Sequence, residues 1–127
     1  MADRQPPAPG IDRARLQALV HAFYADLRRD AEIGPLFERA IGSAWPAHLD
    51  RMVEFWATMV LGSRSFSGDV FGRHMAIDAL SPAMFERWRA LWKRHTDALF
   101  EPARAAELQG IAAGIAGNLV RGLNRRK

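Results

Sequence analysis

The sequence predicts an all-α fold. Apolar residues recur at three- and four-residue steps through four long stretches, Gly and Pro punctuate the gaps between them, and no stretch alternates apolar and polar residues with a period of two. Residues 1–10 (MADRQPPAPG) are Pro-rich and read as a flexible leader ahead of one domain at 11–127. Asp12 is a candidate N-cap for the first long helix, whose apolar face is Leu16, Leu19, Val20, Phe23, Tyr24 and Leu27. Gly34-Pro35 breaks that helix, and a short hydrophobic corner with Leu36, Phe37 and Ile41 follows.

The second long helix starts at Ser43 or just after it, since Pro46 is tolerated in a first turn. Trp45, Leu49, Met52, Trp56, Met59 and Val60 form one of its stripes; His48, Met52, Phe55 and Met59 form an overlapping one. Gly62 closes it, and GSRSFSGD (62–69) reads as a loop. Residues 70–79 suit a helix of about two turns. Ser81-Pro82 then opens a third long helix, with Met84, Phe85, Trp88, Leu91, Trp92, His95 and Leu99 along one face. Glu101-Pro102 ends it, and Ala103 to Leu123 form the last helix, burying Leu108, Ile111, Ile115, Leu119 and Leu123. Gly110, Gly114, Gly117 and Gly122 each cost helix propensity, about 1 kcal/mol against Ala. Close approach of a neighbouring helix is the expected compensation.

Composition narrows the chemistry. At 127 residues the chain is long enough for one core, and 49% hydrophobic with 25% charged residues is ordinary globular composition. Cysteine is absent, which rules out disulfides, thiolate-held haem, iron–sulfur clusters and C-x-x-C-H haem attachment. No signal-peptide pattern and no apolar run near the ~20 residues of a bilayer span appears, so a soluble, cytoplasmic protein is expected. The net charge is +4, and Arg121, Arg125, Arg126 and Lys127 crowd the C-terminus. A basic end can meet nucleic acid or acidic membrane, but cations also suit a helix C-terminus, and neither partner is expected here.

The only good neutral metal ligands are His21, His48, His74 and His95, and no two of them form a close-spaced motif such as H-E-x-x-H. Phosphate-loop, nucleophile-elbow and paired-carboxylate patterns are absent too. What stands out is four Trp, seven Phe and five Met, with histidines set among apolar stripes. Such a set can simply be a core. It is also what a buried macrocycle needs: an apolar slot, one neutral imidazole and a few hydrogen-bond donors.

The order of motifs favours the second reading. Phe23-Tyr24, Gly34-Pro35-Leu36-Phe37, Trp45-x-x-His48-Leu49, Phe55-Trp56, Gly68 to His74 and Phe85-x-x-Trp88 follow one another over roughly residues 12 to 100. In that order and spacing the chain resembles the bacterial truncated haemoglobins of group III. The resemblance implies a two-over-two helical sandwich around haem b, iron protoporphyrin IX. It implies His74 as the proximal iron ligand and Tyr24, His48 and Trp88 on the distal side, where the ligand binds. Phe37, Met52 and Phe55 would be apolar pocket wall. Arg64 and Arg73, flanking the proximal segment, are candidate partners for the haem carboxylates. The implied function is reversible binding of oxygen or another diatomic ligand. Redox turnover of nitric oxide, oxygen or peroxide, by nitric oxide dioxygenase or peroxidase-like chemistry, would need an external electron donor. The competing reading is a non-haem helical interaction module that uses its basic C-terminal tail.

Overall fold

The computed structural model describes residues 10–77 and 80–125. The leader, apart from Gly10, and the terminal Arg126 and Lys127 lie outside them. The elements are α1 (Arg13–Arg29), α2 (Gly34–Ile41), a 3-10 turn (Gly42–Ala44), α3 (Trp45–Leu61), α4 (Val70–Met75), α5 (Pro82–Leu99) and α6 (Pro102–Arg125). No strand occurs among the described residues, and no helix there is long and apolar enough to cross a membrane.

The first helix is the spine. Asp12 caps it, its Oδ1 accepting from the Arg15 amide at 2.8 Å. Every residue of its apolar face is buried, and Leu16, Leu19, Val20, Phe23 and Leu27 are wholly so. Full burial of side chains this size is worth about 1.5–3 kcal/mol each, which fixes the element against its neighbours. α1 packs on α2, α3 and α5, α5 lies along α6, and α4 rests on α6. Phe23 meets Tyr24, Trp88 and Trp92 edge-on at 4.9, 6.0 and 5.0 Å. Trp92 stacks on Trp56 at 4.5 Å and lies parallel to Trp88 at 6.2 Å, while its Nε1–H donates to the Leu108 carbonyl at 3.1 Å. The centre is therefore aromatic, with its buried polar tip satisfied.

Several elements differ from the sequence expectation. Gly34-Pro35 does more than break α1: Pro35 sits in the first turn of α2, an eight-residue helix where a corner is expected. α4 is shorter than the expected 70–79, ending at Met75; residues 78–79 are outside the described set. Asp69 starts it, accepting from the Gly72 amide at 2.8 Å. Met59, expected on the α3 stripe, is 45% exposed. On α6 the tight face is made by Ala105, Ala112 and Ala116, all buried. A Cβ at Gly110 or Gly114 would meet nothing, and at Gly117 only the Arg121 guanidinium at 3.6 Å. Close approach thus explains one glycine of the four: at Gly122 a Cβ would fall 2.7 Å from the Phe71 ring and 2.9 Å from the Met75 sulfur. Gly122 lets α4 settle onto α6.

Candidate functional site

A cavity of about 450 Å³ lies among α1, α2, α3, α4, α5 and α6. Tyr24, Phe37, His48, Met52, Phe55, His74 and Trp88 all line it. Seven positions spread over 65 residues of sequence therefore converge on one mostly apolar space, because α1, α3 and α5 each turn a partly aromatic face toward it. His21 is exposed on α1 and His95 is bonded elsewhere, its Nε2 lying 3.0 Å from Asp26 Oδ2. Both stand outside the cavity lining.

His74 sits on α4, with its Nδ1 2.7 Å from the Val70 carbonyl one turn back. A carbonyl oxygen only accepts, so Nδ1 carries a proton, and in the neutral ring the lone pair is on Nε2. This is the arrangement by which a backbone carbonyl orients an imidazole and raises its strength as a ligand. The ring lies 6.2 Å from Phe85.

On α3, the His48 ring meets Tyr24 edge-on at 5.3 Å and Trp45 at 5.5 Å. Its Nε2 is buried and has no hydrogen-bond partner among the described residues. Burial, then Arg51, then His74 push its pKa down to about 4, so the ring is neutral at pH 7. Tyr24 is 6% exposed, and burial pushes its phenol well above the usual range. It stays an O–H donor. Trp45 is held from outside: its Nε1–H donates to Glu38 at 3.0 Å, and Arg28 covers its ring at 4.4 Å while bonding the same carboxylate. This shell braces Tyr24, 5.7 Å from Trp45.

Two cations on the lining separate the expected from the missed. Arg73 lines the cavity; Arg64 does not, standing in the 62–69 loop with a positive φ of 58°. Arg51 is on the lining but escapes a motif reading. Its guanidinium lies 5.0 Å over Phe66 and donates to the Ser67 carbonyl at 3.2 Å. The signal was available, since Arg51 is one helical turn beyond His48 and shares its side of α3.

Comparison with known proteins gives a consistent result. The chain is 28% identical over 93 residues to the group 3 truncated hemoglobin ctb of Campylobacter jejuni, covering 71% of this chain and 73% of that protein. It superposes on the crystal structure of the group III truncated hemoglobin from Campylobacter jejuni with a TM-score of 0.86 at 26% identity, over 89% of this chain and 91% of that one. No family model matches the chain.

Proposed function

We propose, from the likeness of this chain to group III truncated haemoglobins in sequence and in fold, that it is a protein of that kind, binds haem b through His74 and admits a diatomic ligand such as oxygen beside Tyr24, His48 and Trp88. The observation that carries the reading is His74 itself: an imidazole on an apolar cavity, with its tautomer set by Val70 so that Nε2 is free to ligate. The donor set fits the group. The buried, unpartnered Nε2 of His48 is a polar atom on the same cavity that awaits a guest. Phe37, Met52 and Phe55 offer apolar wall, and Arg51 and Arg73 are the cations on the lining that would pair with the two haem carboxylates.

Haem, when bound, supplies an iron atom with a coordination position for a diatomic ligand. The rest falls to the chain. His74 Nε2 would hold the iron, with the Val70 carbonyl keeping the ring from turning. Tyr24, neutral and buried, would donate its O–H to the guest, and a hydrogen bond to a partly charged atom is worth about 1.5–3 kcal/mol. Trp88 offers an N–H that can only donate. His48, neutral and at the start of its helix, admits or excludes the guest. Donors at Tyr24 and Trp88 on one cavity would polarise such a guest, which favours redox turnover over plain transport, with electrons from an external donor.

Spectra of the ferric, ferrous and carbonyl forms, with and without His74→Gly, test the reading. The wild-type chain should show a Soret band and hold one haem. His74→Gly should weaken haem retention by more than about 100-fold, beyond the usual cost of losing an outer partner, and added imidazole should restore much of it. A colourless chain that takes up no added haemin, or unchanged retention in the variant, would overturn it.

A further inference from the structure

Outside the main cavity, a second concavity of about 380 Å³ opens between α4 and the C-terminal half of α6. Its lining splits by chemistry. Val70 and Phe71 from α4, with Ile115 and Leu119 from α6, make an apolar floor, and Arg121 and Arg125 stand beside it. Phe71 is 43% exposed, a large apolar ring left to solvent at this spot. Gly122 leaves room for that ring to lie against α6, since a Cβ there would collide with it. The Arg121 guanidinium donates to Asn118 Oδ1, and among the described residues no carboxylate lines the groove.

We infer that this groove binds a small amphiphile with an aliphatic tail and a carboxylate head, a fatty-acid-type anion. The size falls in the range of small-molecule sites, about 300–1,000 Å³, which are apolar concavities with a few polar groups that set orientation. Two guanidiniums with no carboxylate beside them among the described residues suit a planar carboxylate, which an arginine fork grips through two parallel hydrogen bonds. The four apolar side chains suit methylenes rather than a sugar or a phosphate ester. Val70, Ile115 and Leu119 also line the main cavity, and the Val70 carbonyl is the one that holds His74. A tail seated here therefore rests on the element that presents His74, although the site itself needs no haem.

Titration of the chain with laurate below its micelle concentration, by calorimetry, tests the inference. The run is made on the chain as purified and repeated after haemin is added. Saturable binding of one laurate per chain is expected after haemin fills the main cavity, and at least that one site in the chain as purified, where the main cavity could take up laurate as well. Dodecyltrimethylammonium, with the same tail and the opposite charge, should show none. The pair Arg121→Ala and Arg125→Ala, both exposed side chains, should weaken laurate at least about tenfold, the loss of a charge-assisted contact. Phe71→Gln should weaken it through the floor. Laurate uptake that never saturates, that ignores the arginine pair, or that haemin abolishes would overturn the inference. So would a dimer, seen by sedimentation, that covers the groove and excludes laurate. Because laurate is read directly, none of these outcomes bears on whether haem binds.

Discussion

At the scale of the residue, Tyr24 and His48 show one cause with opposite signs. Burial penalises charge, so it raises the phenol and lowers the imidazole, and both remain neutral donors in the same small volume. The proposed donor role of Tyr24 predicts that Tyr24→Phe, which keeps the ring and removes the O–H, speeds oxygen dissociation from the haem-loaded chain by about 10- to 100-fold. Flash photolysis or stopped-flow would measure it, and a change below about twofold is too small for such a bond. His48 has a separate consequence in the haem-free chain. Its buried Nε2 lacks a partner, a state that costs about 1–3 kcal/mol. His48→Leu should therefore leave urea stability of the haem-free chain unchanged or higher, while altering carbon monoxide association in the loaded one. A clear loss of stability would mean that the nitrogen is satisfied after all.

At the scale of the element, helix identity was legible and helix packing was not. The period of the apolar residues marks α1, α3, α5 and α6 because each buries one face along its length, and α1 meets the expectation residue for residue. The motif residues of the site could be named through the resemblance, and all seven meet on one cavity. Arg51 escaped because no apolar period marks a charged residue, and its one signal, a place one turn beyond His48, shows only once His48 is set on the cavity. The glycines of α6 misled for a related reason: a missing side chain looks the same in sequence whether it admits a neighbour or faces water. That distinction is testable. A Cβ at Gly34 would lie 2.7 Å from the Arg28 carbonyl, a backbone atom that cannot step aside, so Gly34→Ala should destabilise by about 1–3 kcal/mol. Gly110→Ala and Gly114→Ala, each in a helix with open space around it, should stabilise by up to about 1 kcal/mol. Urea midpoints of the three variants should therefore move in opposite directions, and a common direction would contradict the packing described for α6.

At the scale of the whole molecule, acidic side chains tie the helices to one another. Asp30, at the end of α1, receives two hydrogen bonds from Arg87 of α5, at 3.1 and 2.7 Å. Asp26 of α1 meets His95 and Arg94 of α5 at 3.0 and 2.9 Å. Arg87 and the amides of Ile33 and Glu32 hold the Asp30 pKa down to about 2, and the bond to His95 lowers that of Asp26. The folded chain therefore holds these protons more weakly than the unfolded chain does. Their contribution is complete above the ordinary carboxylate value of 3.8 and fades as pH falls toward about 2. His48 acts in an earlier window by the same logic. Its folded value of about 4 lies below the ordinary 6.5, so between those two pH values the unfolded chain takes up a proton that the folded chain refuses. Stability of the haem-free chain should accordingly decline in two stages on acidification, first from about 6.5 to 4 and then from about 4 to 2. Urea titrations at stepped pH resolve the stages. His48→Leu should flatten the first and spare the second, while Asp26→Asn with Asp30→Asn should do the reverse. Both salt-bridge partners being partly exposed, added salt should shrink the second stage through screening and leave the first nearly untouched, because His48 loses charge to burial and not to a solvent-facing ion pair. If His48→Leu retained the first stage in full, the burial of its ring in this cavity would not be the source of the shift.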